Sequence, residues 1–511
     1  MLSKTIIKKN EYYDSVTLMS LSSKLSDIEG VEEAVVAMAT KMNKELLAAT
    51  GMFTAGVEQC GDNDLIIAIK AISGERYEQA FKLVEEFLTS TTKQKKRKEQ
   101  VPATMTSALE TMPEANLAII SVPGEYAARE ARTALDNGLH VMIFSNNVTI
   151  EQEKALKEYG REKNLLVMGP DCGTAVINNI GLCFANKVKK GNIGLVSASG
   201  TGLQEVMVLI DKFGGTISQA IGTGGRDLRE EIGGIMMIQG LKALWQDDLT
   251  EVIVLISKPP AKSVEVAILS ILKDIKKPVV VCFINGNPVE TEKVGAVFAD
   301  SLEAAAKKAV KLAGIKEQVA SNKEELAQII VAAKKRLNKE QRFLRGLFCG
   351  GTLCAEALYI LRKHLAGVKS NVAEKGEDKI LDLTKVEGNV LLDLGDDQFT
   401  LGRPHPMIDP VVRLERIARE ANDQSVGVIL LDFELGFGSH QDPVGITIPA
   451  IIKAKENAAQ AGRHIIFIGY ICGTKQDRQN YDEQKAKLKA AGVIVAASNI
   501  EAAKIAAKIL S

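Results

Sequence analysis

Short, uninterrupted apolar runs alternate with helix-length amphipathic segments along almost the whole chain. A strand buried on both faces reads as a continuous apolar run, and a helix-length crossover between two such runs returns the chain parallel to itself. The alternation therefore predicts βα units stacked around parallel sheets, an α/β fold class. On this criterion the 511 residues fall into four groups. Residues 1–92 carry strand patterns at 35–38 and 65–69 and helix patterns at 12–25, 41–49 and 76–89, a small α+β domain; a polar, basic linker follows at 90–101. Residues 102–188 carry strands at 117–122, 140–144 and 165–168 with helices at 126–137 and 150–163 between them, a half-Rossmann pattern. Residues 189–316 carry strands at 193–197, 216–221, 252–256 and 279–284, and the charged segment 316–341 reads as the next linker. Residues 342–511 carry strands at 346–349, 390–393, 428–432, 465–470 and 493–497, with 370–387 a polar surface excursion.

Charge and cysteine usage narrow the function classes. Lys+Arg and Asp+Glu both number 64, so the formal net charge is zero. That balance removes the electrostatic footprint of a general nucleic-acid binder and of a protein held on an anionic membrane. No apolar run reaches the roughly 18 residues of a membrane span. The start, MLSKTIIKKNEYYDS, has no apolar stretch followed by a cleavage site, so no signal peptide is expected. Seven cysteines without a Cys-x-x-Cys spacing predict reduced thiols and a cytoplasmic location. The five histidines are scattered, and no metal site is expected.

The third and fourth groups open alike. The run 193–197 leads into Ala198-Ser199-Gly200-Thr201-Gly202-Leu203-Gln204-Glu205, and the run 346–349 leads into Gly350-Gly351-Thr352-Leu353-Cys354-Ala355-Glu356. A second Gly-rich corner follows in each: Gly222-Thr223-Gly224-Gly225-Arg226-Asp227 in one, Asp393-Leu394-Gly395-Asp396-Asp397 and then Arg403-Pro404-His405-Pro406 in the other. Two copies in register predict a duplicated flavodoxin-like domain. A strand-to-helix turn leaves the first N–H groups of its helix unpartnered, and the helix dipole adds roughly half a positive charge there. Glycine lets a ligand approach the backbone, and hydroxyls add donors. Ser199, Gly200, Thr201 and Gly202 form one candidate cradle for an anion; Gly350, Gly351 and Thr352 form the other. If the two domains face each other, one phosphate or carboxylate sits between two helix N-termini. Ser199 and Thr352 read equally as plain N-caps.

Other polar clusters end apolar runs. Gly169-Pro170-Asp171-Cys172-Gly173-Thr174 follows 165–168, at the sheet edge where open α/β folds bind ligands, and also reads as a tight turn capped by Asp171. Pro170, Asp171, Cys172, Gly224, Gly225 and Lys258 are candidate loop residues around a substrate. Arg226 and Arg403 each follow a Gly-rich corner and suit a bidentate grip on a carboxylate or phosphate. His405 is a candidate general acid or base, or a capping residue of its loop. Asp432 and the glycines of LDFELGFGSHQDP lie at the right edge of a run, with no role readable from the sequence alone.

Long stretches carry a family resemblance: GEYAAREARTALDNGLHVMIFSNNVT, LLVMGPDCGT, GNIGLVSASGTGLQE, IGTGGRDLREEIGG, LISKPP, GGTLCAEA and LDLGDDQFTLGRPHPMIDP. Over essentially the whole chain they resemble the FdrA family of the acyl-CoA synthetase (succinyl-CoA synthetase-like) superfamily. More distantly, residues 102–316 resemble the succinyl-CoA synthetase α-subunit and 342–511 the carboxyl-terminal domain of its β-subunit. The resemblance implies a Rossmann-like CoA-binding-type domain at 102–188 and two succinyl-CoA synthetase-type flavodoxin domains at 189–316 and 342–511, the latter of ligase-CoA type, behind an N-terminal α+β domain at 1–92. It also implies facing helix N-termini that hold a phosphate on Ser199, Gly200, Thr201, Gly350, Gly351 and Thr352. The chain departs from the synthetases in three ways. Residues 1–60 hold no Gly-rich CoA loop, the segment 279–300 holds no histidine to phosphorylate, and no P-loop string is present.

What the resemblance then implies is acyl-phosphate chemistry without a nucleotide site in the same chain. Its first expectation is a subunit of an oxamate carbamoyltransferase in allantoin (purine) catabolism, interconverting oxalurate plus phosphate with oxamate plus carbamoyl phosphate. The helix termini would stabilise the phosphate, Arg226 or Arg403 would clamp the carboxylate, and His405 would carry a proton. The alternatives are an acyl-CoA synthetase working with a separate nucleotide-binding subunit, and a non-catalytic scaffold that senses CoA or an anion. Expected partners are a small anionic substrate with phosphate or carbamoyl phosphate and the other subunits of a hetero-oligomer, with no nucleic acid and no membrane. CoA is the one cofactor implied.

Overall fold

The computed structural model describes residues 2–511 apart from 12, 14, 27, 41–42, 45–46, 49–50, 98–101, 317–322, 374–375, 377, 381 and 401–402. The chain divides into two compact units, Met1–Thr111 and Met112–Ser511. In the first, strand Leu65–Ala71 lies between Leu2–Lys8 and Val31–Met38 and runs antiparallel to both. It is apolar almost throughout because both faces are covered. Leu65, Ile67 and Ile69 meet Leu18, Leu21, Tyr77, Ala80, Val84 and Leu88 of two helices, while Ile66 and Ala68 meet Leu47, Met52 and Val57. The expected linker at 90–101 is corrected here: helix Gly74–Arg97 runs through most of it. Its Ser, Thr, Lys, Gln and Arg residues contain no Gly or Pro to stop a helix. The rest of that linker and most of the expected helix at 41–49 lie outside the described residues.

The second unit is built on three sheets. Leu117–Ile120, His140–Ile143 and Val167–Met168 form a parallel three-stranded sheet in that order. In the seven-stranded sheet, Ile217–Gly222, Lys190–Ser197, Val252–Ser257, Val279–Phe283 and Val297–Phe298 are adjacent in that order and parallel. In chain order this is 2-1-3-4-5, the flavodoxin arrangement. The six-stranded sheet repeats it with Asn389–Asp393, Phe343–Phe348, Val426–Glu434, Ile466–Cys472 and Ile494–Ala496, adding Val368–Ser370 at the edge. The duplicated α/β architecture is thus present strand for strand.

One hairpin departs from the sequence expectation. Thr174–Ile177 and Ile180–Cys183 pair antiparallel and join the seven-stranded sheet through Ile217–Gly222, instead of the sheet that precedes them. Asn178 and Asn179, both at positive φ (50° and 65°), supply the tight turn. Helix Lys323–Lys334 occupies part of the charged segment 316–341.

The two flavodoxin halves share one hydrophobic core. Helices Gly200–Lys212 and Leu302–Leu312 from the first half pack with Gly351–Leu361 and Asn499–Leu510 from the second, through Leu203, Met207, Ala305, Leu353, Ala357 and Ile505 among others. Two buried carboxyls cross the boundary reciprocally. Glu356 of the second half accepts from Leu302 N at 2.8 Å, and Glu205 of the first half accepts from Asn499 N at 3.3 Å. Each satisfies the opening N–H of the other half's last helix, an orphan donor by helix geometry. Asn499 Nδ2 completes Glu356 at 2.8 Å, and the Tyr470 hydroxyl donates to Glu205 at 2.5 Å. Burial pushes these carboxyls up to about 7 for Glu356 and about 8 for Glu205.

Candidate functional site

Both first strands end at the same place. Ser197 feeds the turn that starts helix Gly200–Lys212, and Phe348 feeds the turn that starts Gly351–Leu361. The Ser199 and Thr352 hydroxyls touch at 2.5 Å, so the two helix N-termini meet. Ser199 caps its helix by accepting from Gly202 N at 2.9 Å. A side chain at Gly202 would displace this contact, because a Cβ would stand 2.8 Å from Ser199 Oγ and 3.1 Å from Thr352 Cγ2.

The second turn is organised by carboxylates. Asp432 accepts from Cys349 N and Gly350 N, each at 2.8 Å, and Arg413 holds Asp432 at 2.5 Å while donating to its carbonyl at 2.6 Å. Part of this turn's donor set is therefore occupied by an internal anion. Glu434 lies beside Asp432, and burial first, then the Asp432 charge, pushes its carboxyl well up. One guanidinium neutralises one carboxylate, and burial beside that charge favours the protonated form of Glu434. Cys349, Asp432 and Glu434 are the one cluster of potential metal ligands among the described residues. Arg413 already supplies the positive charge there.

Asp393 ends strand Asn389–Asp393 and faces the same helix start. Its backbone is pinned on both sides by Asn371, at 2.9 Å each, and its Oδ1 accepts from Gly395 N at 2.9 Å. Its Oδ2 lies so close to Gly351 that a Cβ there would stand at 2.3 Å. Burial pushes its carboxyl up to about 7, and the positive charge of Lys258 opposes the shift. Lys258 is exposed at the end of strand Val252–Ser257 and also acts on Asp171.

The remaining sequence candidates surround this junction. Gly224, at φ 87°, backs onto Pro170, and Gly222 onto Cys172, so the corners at 169–174 and 222–225 pack backbone to backbone. Cys172 is buried and its thiol is pushed up to about 12 by burial. Gly225 is open, with Asp171 Oδ2 3.7 Å from a Cβ built there. Desolvation, then the charge of Asp397, pushes Asp171 up to about 6. Arg226 forms an ion pair with Glu153 and donates to Val148 O, both at 2.8 Å, and Arg403 pairs with Glu415 at 3.1 Å. Both guanidiniums thus carry internal partners. The His405 ring packs 5.8 Å from that of Phe184, over Gly395, and its Nδ1 accepts from Met407 N at 3.3 Å. Burial pushes it down to about 4, so the imidazole is neutral near pH 7. Sequence reasoning missed the organising roles of Asp393, Asp432, Glu434 and Arg413. The first three carried a usable signal, a carboxylate at or near the end of an otherwise apolar strand.

Family models match three segments: residues 1–104 as an AllF heavy metal-associated domain, 188–286 as a CoA binding domain, and 347–509 as a CoA-ligase. The CoA binding match falls on the seven-stranded half, not on 102–188. The first unit contains one cysteine, Cys60, and no histidine, so it cannot supply a paired Cys or Cys–His ligand set for a heavy metal. The subunit alpha of an ADP-forming succinate–CoA ligase from Staphylococcus epidermidis is 27% identical over 230 residues, 43% of this chain and 74% of that one. The Archaeoglobus fulgidus subunit alpha 2 is 29% identical over 173 residues, 33% of this chain and 58% of that one. Among solved structures, an ATP citrate lyase from Methanosaeta concilii in complex with (3S)-citryl-CoA aligns with 15% identity and a TM-score of 0.35; the chain spans 45% of it, using 44% of its own length. YahF of Escherichia coli K12, itself uncharacterized, is 48% identical over 499 residues, 98% of this chain and 97% of that one. The chain therefore belongs to the family of YahF, within the succinyl-CoA synthetase-like superfamily.

Proposed function

We propose that this chain is the acyl-phosphate-handling subunit of an acyl-transferring enzyme, with the phosphate bound where the Ser199 and Thr352 hydroxyls meet. That one contact carries the reading. It brings two helix N-termini, two hydroxyls and the bare Gly351 to one point, an electrostatic setting for a phosphate that leaves or attacks. Lys258 adds a cation at the rim. The CoA-ligase and CoA binding matches favour a thiol acceptor, CoA, with nucleotide chemistry on a separate subunit. In that reading Asp171, Gly225 and Lys258 would line the approach of the thiol substrate. The family resemblance of the motif stretches gives a second reading, carbamoyl transfer between phosphate and oxamate nitrogen. Purification with co-expressed genomic neighbours, followed by parallel assays of CoA-thioester synthesis and oxalurate phosphorolysis, separates the two. Turnover in neither assay leaves an anion-binding scaffold.

Two outcomes test the cradle itself. Thr352→Val or Thr201→Val alone is expected to weaken inorganic phosphate binding about ten- to hundredfold, the loss of one hydrogen bond to a charged group. Unchanged binding by equilibrium dialysis removes these hydroxyls from the site. Sulfate keeps its charge over the neutral range, so its affinity reports the protein. Asp393, pushed up to about 7, is mostly neutral at pH 6 and mostly ionised at pH 8. A carboxylate formed beside the bound anion repels it, so sulfate is expected to bind about tenfold more weakly at pH 8. Asp393→Asn is expected to flatten that dependence. A variant that keeps the wild-type slope places the titrating group elsewhere.

A further inference from the structure

We infer that Asp393 is a phosphoryl carrier: its Oδ2 takes the phosphoryl group of an acyl phosphate seated at the helix junction and forms an aspartyl phosphate. This rests on the acyl-phosphate reading above and adds a covalent step to it. Three other carboxyls near the junction are unsuited to attack. Asp432 spends its oxygens on Cys349 N, Gly350 N and Arg413. Glu434 is buried, and burial beside Asp432 disfavours its ionised form. Asp171 belongs to the outer corner, facing Arg226 and Asp397. Asp393 differs from all of them. Its Oδ1 is fixed by Gly395 N, its backbone is held from both sides by Asn371, and its Oδ2 has no hydrogen-bond partner among the described residues. That oxygen lies against Gly351, the first residue of the helix, in the space that any Cβ would fill. The Lys258 charge reaches the same carboxyl.

The step balances without another reagent. Asp393 Oδ2 donates an electron pair to phosphorus, the bond from phosphorus to the acyl oxygen breaks, and a free carboxylate leaves with that bond's pair. No proton moves and nothing is oxidised. Reversed, an incoming carboxylate attacks the phosphorus of the aspartyl phosphate, the Asp393 Oδ2–phosphorus bond breaks, and an acyl phosphate leaves. The N-terminal dipole of Gly351–Leu361 and the Lys258 ammonium offset the repulsion between carboxylate and phosphate.

The full chain is incubated with acetyl phosphate near neutral pH and its intact mass is measured. Wild type is expected to gain one phosphoryl mass that hydroxylamine releases and that borohydride reduction maps to Asp393. Asp393→Asn is expected to gain none, and Lys258→Met, a change at an exposed side chain, to gain it about tenfold more slowly or worse. The unfolding curve of each variant checks its fold, and the borohydride mapping on wild type stands even if Asp393→Asn fails to fold. A wild-type chain that still binds sulfate but acquires no phosphoryl mass overturns the carrier and leaves the acyl-phosphate reading standing. A label on Asp393→Asn, or one mapped to another residue, also overturns it. Loss of both labelling and sulfate binding overturns carrier and cradle together.

Discussion

Lys157→Met is expected to destabilise the second unit by about 3–5 kcal/mol, the range for removing one partner from a buried ion pair. Lys157 is fully buried in helix Ile150–Glu162, and its ammonium touches Glu153 at 2.8 Å, Asp227 at 2.8 Å and Thr223 O at 2.9 Å. Glu153 keeps Arg226 when the lysine is gone, but Asp227 keeps no cation in these contacts. Nor can Asp227 turn away. It accepts from Met236 N at 3.2 Å and Met237 N at 2.8 Å, capping helix Ile235–Gln246, whose own N-cap Gly234 has no side chain to do so. The lysine therefore ties the three-stranded layer to the Gly222–Asp227 corner that backs onto Pro170 and Cys172. The chain's single tryptophan, Trp245, lies in the helix that Asp227 caps. Its fluorescence in a urea titration reports this unit directly. A midpoint within experimental error of wild type would falsify the assignment of Lys157 as the neutralising partner of Asp227.

The parts of the fold that were legible before the structure share one physical property, continuous burial. Runs such as 193–197, 252–256, 279–284, 390–393 and 428–432 are apolar on both faces and appear as strands in place. The repeat at Ser199 and Gly350 was legible for a related reason, since a glycine-rich turn between a buried strand and a helix has few substitutes. What could not be read depends on contacts distant in sequence. The hairpin at 174–183 changes sheets because of the strand it meets, not because of its own pattern. Arg226 and Arg403 sit after Gly-rich corners, as a ligand clamp would, yet Glu153 and Glu415 take their guanidiniums. Glu205 and Glu356 were visible as repeated residues, but capping a helix of the opposite half needs a partner 294 residues away for Glu205 and 54 away for Glu356. Asp393 ends an apolar strand and Asp432 lies two residues from the end of another, and only the fold brings them to the second turn.

Arg413→Met is expected to be as costly at neutral pH, about 3–5 kcal/mol, and to recover as the pH is lowered. The guanidinium is the cation bound to Asp432, and it packs over the Phe433 ring at 5.2 Å. Without it, a buried Asp432 must either ionise beside Glu434 with nothing to neutralise it or take up a proton. Burial and a like-charged neighbour both raise a carboxyl's pKa in the folded state. A raised folded-state pKa makes the native chain bind more protons than the unfolded one. Stability of the variant relative to wild type should therefore rise as pH falls through the folded value, and the recovery is complete below the unfolded carboxyl range. The comparison is made as a difference between variant and wild type at each pH, so that other acid-sensitive groups cancel. Protonation of Asp432 also weakens its acceptance from Cys349 N and Gly350 N, the two donors that set the second turn. At mildly acid pH, with the fold still intact, anion affinity in Arg413→Met should thus fall below that of wild type at the same pH. A variant that loses stability equally at every pH would mean that Arg413 acts by packing against Phe433 alone, and that the second turn does not depend on the charge balance at Asp432.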